Sequence, residues 1–355
     1  MGDPQGGKTM KRSITIILSL LALSYGVSAA PITVNPGQSI QSAVNSAGPG
    51  DTVTVMSGTY NERVTVSKDG LSESKITVKA SGHVKMKGFK ITGDYVRIEG
   101  FEVTDTGEIG IDIREVRGVE IIENNVHHVG KFGIYAEGDD FIIQGNDVSY
   151  MMSGDGDCLR IFGDSHLVQG NKFHHTSKKY ASPRCHCDGI QHYDMDNHIR
   201  RQLTNAVFED NILYEIDGQC FISESKPDRS HDNVWRRNVC HQGSDPDWQM
   251  LNIKDGYNWV IENNVFWGES GNAAIKLSER HVMKNVRIAN NIVKPGIRLW
   301  SKVHDVDLFL SHNLEDVDPL FVNPGPPNYD FHVKPGSPAC GAAENGGDVG
   351  VYACD

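Results

Sequence analysis

Ile143-Gln-Gly-Asn146, Val168-Gln-Gly-Asn171, Phe208-Glu-Asp-Asn211, Trp235-Arg-Arg-Asn238, Ile261-Glu-Asn-Asn264 and Ile288-Ala-Asn-Asn291 share one pattern. An apolar residue is followed by two polar or small residues and then asparagine. Two earlier segments extend the series: Ile98-Glu-Gly-Phe101, with Phe in the Asn place, and Ile122-Glu-Asn-Asn125. Their fourth positions step by 24, 21, 25, 40, 27, 26 and 27 residues. Each repeat holds short stretches of alternating polarity and a Gly- or Asn-rich bend, with no room for a long helix. A unit this small cannot bury its apolar face alone, whereas stacked copies can. The pattern predicts a parallel β-solenoid in which the asparagines bond up and down the stack.

The ends of the chain agree. Residues 37–47, Gly-Gln-Ser-Ile-Gln-Ser-Ala-Val-Asn-Ser-Ala, form an amphipathic helix candidate that can plug the first coil. Lys11 and Arg12, an apolar run from Ser13 to Leu23 and the small residues Val27-Ser28-Ala29 read as a secretory signal. The expected organisation is a signal peptide at 1–29, a β-helix domain at 30–315 and a C-terminal cap of the same domain at 316–355. That makes the protein secreted, extracellular or periplasmic, with no integral membrane segment in the mature chain.

The 355 residues carry 34 Lys+Arg against 46 Asp+Glu, a net charge of −12. Loss of 1–29 removes Lys8, Lys11, Arg12 and Asp3, which takes the charge to −14. Such a body does not wrap nucleic acid, which needs a positive surface. Export permits disulfides. Seven cysteines leave at least one unpaired within the chain, and Cys340 with Cys354, which bracket the C-terminal segment, is the expected pair. Cys185-His186-Cys187 fits none of the usual zinc spacings.

The repeat resembles the right-handed parallel β-helix of the pectate lyase-like superfamily, over most of the mature chain. Asp318-Pro-Leu-Phe321, Gly336-Ser-Pro-Ala339 and Asp348-Val-Gly-Val-Tyr352 look like the C-terminal segment of many secreted β-helix proteins, here read as an end cap against edge pairing. The resemblance specifies fold and leaves the reaction to the site.

A second strand follows each bend. Aligned on its first apolar residue, the series reads Ile111, Ile134, Leu159, Ile190, Phe221, Leu251, Ile275 and Ile297. Alternation then sends Asp112, Tyr135, Arg160, Gln191, Ile222, Asn252, Lys276 and Arg298 outward. A second outward column holds Arg114, Glu137, Phe162, Tyr193, Glu224, Lys254, Ser278 and Trp300, and Asp157, Asp188, Gln219 and Gln249 lie at the entering bend. The step of 40 marks inserted loops, Thr176 to Cys187 and Asp194 to Thr204, which would wall this face. A charged floor with aromatic rims suits a sugar chain. His127, His128, His174 and His175 fall on another side and read as surface.

Leu251-Asn-Ile-Lys254 looks like the lysine turn of alginate lyases and chondroitinase B. The resemblance implies β-elimination on a uronic-acid-containing glycan, with Lys254 as base and Lys276 or Arg160 as carboxylate partner or acid. Asp157, Asp188 and Glu224 are the acid or calcium candidates. Tyr135, Gln191, Tyr193, Asn252, Arg298 and Trp300 are the substrate-binding candidates. Those families carry Arg on the next turn, where this chain has Ser278. The implied partner is an acidic polysaccharide, and the protein is expected to be a monomer.

Asp188-Gly-Ile, Gly156-Asp157-Cys158-Leu159 and Asn252-Ile-Lys254 resemble polygalacturonase turns. The first two come in the opposite order, and Gly218-Gln-Cys220 replaces the Gly-His-Gly turn. A hydrolase of that type is the first alternative. A C5-epimerase, which reprotonates the other face, shares the lyase's first step. A non-catalytic carbohydrate-binding or surface β-helix is the alternative outside enzymes.

Overall fold

Each repeat closes into one coil of three short strands. Around Asn146 these are Ile142–Gln144, Asp147–Ser149 and Leu159–Asp164. Each pairs in parallel with its counterparts one coil away. Ile143 lies between Ile121 and Val168, Val148 between Val126 and Phe173, and Leu159 between Ile134 and Ile190. The computed structural model describes Gly2 and residues 31–176, 186–195, 201–226, 229–242, 249–268, 273–277, 282–299 and 305–354. The expected signal segment, apart from Gly2, and the inner parts of both expected wall loops lie outside these residues. No helix among them is long and apolar enough to cross a membrane.

Inward alternation fills the coil with one continuous core that includes Ile121, Ile143, Val168, Phe208, Trp235, Ile261 and Ile288. At one corner the asparagines stack. Asn171 donates from Nδ2 to Asn211 Oδ1 at 3.0 Å and to Ile143 O at 2.8 Å, and its own backbone N–H reaches Asn211 Oδ1 at 3.0 Å. The same contacts run from Asn146 to Asn171, from Asn211 to Asn238 and from Asn264 to Asn291. Buried amides are costly unless bonded, so the ladder satisfies a corner that no water reaches. The residue before each ladder position is left-handed: Gly145 at φ 67°, Gly170 at 64°, Asp210 at 58°, Asn263 at 56°. Gly, Asn and Asp tolerate that region best, which accounts for their recurrence there.

One repeat sits a residue earlier than the sequence pattern predicts. The ladder member is Asn124, 1% exposed, whose Nδ2 reaches Asn146 Oδ1, whereas Asn125 is exposed. Ile121 and Ile122 both offer an apolar start. Only cross-coil pairing, Ile98 with Ile121 and Ile121 with Ile143, chooses between them. The ladder also gains a member, Asn313, which receives Asn291 Nδ2 at 2.9 Å.

The helix forms at Ile40–Ser46, with Ser39 as its N-cap accepting from Ser42 N. Ile40 and Val44 enter the core, so the helix covers the first coil as expected. The C-terminal segment packs along the last coils. Its Phe321, Phe331, Ala339, Ala343 and Val349 pack on Val239, Val265 and Ile292, which point outward from the last coils. It covers their flank, while Leu299 and Leu310 on the last strands stay 47% exposed. Cys340–Cys354 ties this segment, as expected, and a second disulfide joins Cys220 to Cys240. Cys158 is the free thiol among the described residues. His174 is buried rather than on the surface, its ring stacked 4.7 Å from Tyr214.

Candidate functional site

The strands that follow the ladder flank build the outward face in the expected register. Ile111, Ile134, Leu159, Ile190, Phe221, Leu251, Ile275 and Ile297 occupy successive rungs. Tyr135, Arg160, Gln191, Ile222, Asn252, Lys276 and Arg298 therefore form one outward column, with Tyr193 beside Glu224 in the next.

A cleft of about 350 Å³ opens over its middle rungs. Its walls carry Asp155, Arg160, His186, Asp188, Gln191, Tyr193, Glu224 and Lys254. Lys254 Nζ donates to Glu224 Oε2 at 2.7 Å, and both side chains are largely buried. Arg160 is held from behind: Nε and Nη2 donate to Asp157 Oδ2 at 2.8 and 2.7 Å. Tyr193, 40% exposed, presents its ring to the solvent side.

Asp157 and Asp188 form a second short ladder at the entering bend. Asp188 N donates to Asp157 Oδ1 at 3.1 Å, and Gln219 N donates to Asp188 Oδ1 at 2.7 Å. Burial pushes the Asp157 carboxyl well above the usual range, against the pull of Arg160. Burial likewise raises Asp188 to about 6, opposed by the Gln219 N–H bond and Arg160. Asp157 is fully buried and so positions Arg160, while Asp188 faces the cleft. Gly218 is needed beside it, because a Cβ there would lie 2.5 Å from Asp188 Oδ1 and from Cys187 O.

The other candidates separate. Asn252 is 3% exposed, and its Oδ1 has no hydrogen-bond partner among the described residues. Lys276 is on the next rung from Asn252, 8% exposed and outside the cleft lining. Arg298 is exposed on the last rung of the column. Tyr135 is 5% exposed, with the Arg114 guanidinium 3.6 Å from its ring centroid. Trp300 and Ser278 lie outside the described residues.

Sequence reasoning misses Asp155 and His186, which line this cleft, and Lys131, Phe132 and Arg201, which line an adjoining hollow together with Asp155, Arg160 and Tyr193. They sit on entering or inserted loops, where no strand period fixes direction. The one available signal was the expected loop wall, which His186 and Arg201 bear out.

The carboxylates do not fit a resident calcium. That ion takes roughly six to eight oxygen ligands. Asp157 is engaged by Arg160 and Asp188 N, Asp188 by Gln219 N and Gln191 Nε2, and Glu224 by Lys254. Among the described residues, three metal-ligating groups converge only at Cys340, Asp348 and Cys354, where both sulfurs form a disulfide.

The family description "Right handed beta helix region" matches residues 75–244. No curated protein matches in sequence. Among solved structures the chain is similar to pectate lyase Pel9A, at 14% identity and TM-score 0.53, covering 93% of this chain and 98% of that one. It is also similar to a mannuronic acid specific polysaccharide family 6 lyase from human gut microbiota. There the identity is 17%, the TM-score 0.52, and the coverage 76% of this chain and 66% of that one. At such identities the likeness concerns the backbone. The continuous parallel coils, the asparagine corner and these matches make the chain a right-handed parallel β-helix, the fold it shares with pectate lyase Pel9A.

Proposed function

We propose that the protein is a polysaccharide lyase that cleaves a uronic-acid-containing glycan by β-elimination. The observation that carries this is the Lys254–Glu224 pair, set in the same cleft as Arg160 and the exposed ring of Tyr193. An amine acts as a base only when neutral. Proton transfer across the 2.7 Å contact to Glu224 yields that amine without moving a heavy atom. Lys254 then takes the proton alpha to the uronate carboxylate. Arg160, fixed by Asp157, stabilises the charge that develops on that carboxylate. Electrons released at C5 form the C4–C5 double bond, and the 4-linked sugar leaves with a proton from Asp188.

A second reading rests on Asp188, raised to about 6, sharing the cleft with Glu224. Two carboxyl groups facing one cleft are the equipment of a glycoside hydrolase. Incubation with pectate, alginate and glycosaminoglycans separates the readings. The lyase produces an unsaturated uronate with ultraviolet absorbance. Reducing ends without that absorbance identify the hydrolase, and neither signal on any of the three overturns both.

A further inference from the structure

The two ends of the solenoid differ. At the first coil, Ile40 and Val44 of the N-terminal helix close the core. At the last coil, the strands Ile297–Leu299, Asp305–Ser311 and Leu314–Glu315 each pair with the coil below, and among the described residues nothing pairs above them. Their inward columns stop there. Ile297 and Leu299 continue the buried Ile275 and Leu277, and Leu308 and Leu310 continue the buried Val286 and Ile288. Yet Leu299 and Leu310 are each 47% exposed, and Phe309 between the two leucines is 49% exposed. An open sheet edge around an apolar end is a template for a further strand.

The longest of these strands is complementary to itself. Asp307-Leu308-Phe309-Leu310-Ser311 has an aromatic centre, a leucine on each side and a polar residue outside each leucine. Antiparallel pairing of this strand with a second copy about Phe309 sets Leu308 opposite Leu310 on the core side. Phe309 then meets Phe309 on the outer side, and Asp307 meets Ser311, so no acid faces an acid. The same two-fold axis, perpendicular to this sheet, exchanges the other two sides of the three-stranded coil. Arg298 lies exposed on one of those sides, and Glu315, Asp316 and Asp318 lie exposed on or just beyond the other. Each copy therefore brings its arginine side to the acidic side of its mate, once on either flank of the axis.

We infer that this end is an interface with a second copy of the chain. The protein is then a two-fold dimer, not the expected monomer, whose solenoids meet last coil to last coil and close their cores on each other. A contact that uses the same patch on both copies is complete at two. The helix over the first coil leaves no second open end from which a longer stack could grow. The inference concerns the end of the solenoid and does not depend on the reaction in the cleft.

Sedimentation equilibrium of the full chain tests it, and twice the chain mass is expected. Leu310→Lys sets a charge opposite Leu308 of the mate and should raise the dimer dissociation constant by about tenfold or more. Its circular dichroism should stay native. Phe309→Cys should form a covalent dimer under mild oxidation, because residues facing across an antiparallel pair lie within disulfide reach. Leu71→Cys, 59% exposed and far from this end in the chain, should not, and the unmodified protein is the control for the native cysteines. A monomeric mass at every concentration overturns the inference. If Phe309→Cys then resists a thiol reagent, a segment of the same chain covers the end, and if it reacts, the end is left to a different partner. A dimer that is unweakened in Leu310→Lys, or that cross-links no faster through Phe309→Cys than through Leu71→Cys, also overturns it. The mass of the unmodified protein gives an answer even if a variant does not fold.

Discussion

Lys254 Nζ donates to Glu224 Oε2 at 2.7 Å, and the two side chains come from neighbouring coils of the candidate face. The strand pairing places Ile222 beside Asn252 and Ser223 beside Ile253, and Lys254 N continues it by donating to Ser223 O at 2.9 Å. The ion pair is therefore a consequence of stacking, and it gives the lyase reading its base.

Lys254→Ala should lower kcat by about 10²–10⁴-fold, the usual contribution of a positioned base. Circular dichroism should stay native. Lys254→Arg keeps the charge but stays protonated, so it should not restore activity. Release of unsaturated product checks both, and an active Arg variant would remove Lys254 from the role of base.

Asp188 titrates near 6 in the folded protein, against roughly 3.9 when unfolded. Between about pH 4 and 6 the folded state keeps a proton that the unfolded state has released. Stability from this group thus falls as pH rises through that window. Asp188→Asn should flatten that slope. Urea unfolding at several pH values measures it, and an unchanged slope would contradict the assignment.

Asn171→Ala removes the side chain that joins two coils and leaves Asn146 N without its acceptor. A loss of about 2–4 kcal/mol is expected from orphaning several buried groups. Asn125→Ala, one residue from the ladder and exposed, should change stability by less than about 0.5 kcal/mol. Equal effects at Asn124 and Asn125 would contradict the ladder register.

Gly218→Ala drives a methyl against Asp188 Oδ1 and Cys187 O. It should cost about 1–3 kcal/mol and raise KM, because the cleft wall must shift. Thermal unfolding and chain-length kinetics report the two effects separately.

Cys158 is buried, and burial pushes its thiol well above the ordinary range. It should ignore a thiol reagent in the native protein and react once denatured, since the thiolate is the nucleophile. Reaction on mixing with native protein would show that the coil opens at this position.

The repeat made the fold legible. An apolar residue three places before a ladder asparagine must face inward on every coil, so the series of apolar pivots gave the pairing of the outward face rung by rung. The same logic slipped at Ile121-Ile122, where two adjacent apolar residues leave the phase open until neighbouring coils choose it. Period 2 also told which side chains leave the core at Arg160, Tyr193, Glu224 and Lys254. It could not tell how far each one emerges. Tyr135 and Arg114 left the core together and then covered one another, and Asp157 sank beneath Arg160. Residues on loops, such as Lys131 and Arg201, follow no period, so only tertiary packing brought them to the groove. The chain by itself thus determined the coil, its register and which face carries the charges, because these follow from local alternation repeated many times. The depth of each group, the partners of each charge and the path of the C-terminal segment were decided only in three dimensions, where side chains distant in sequence compete for the same space.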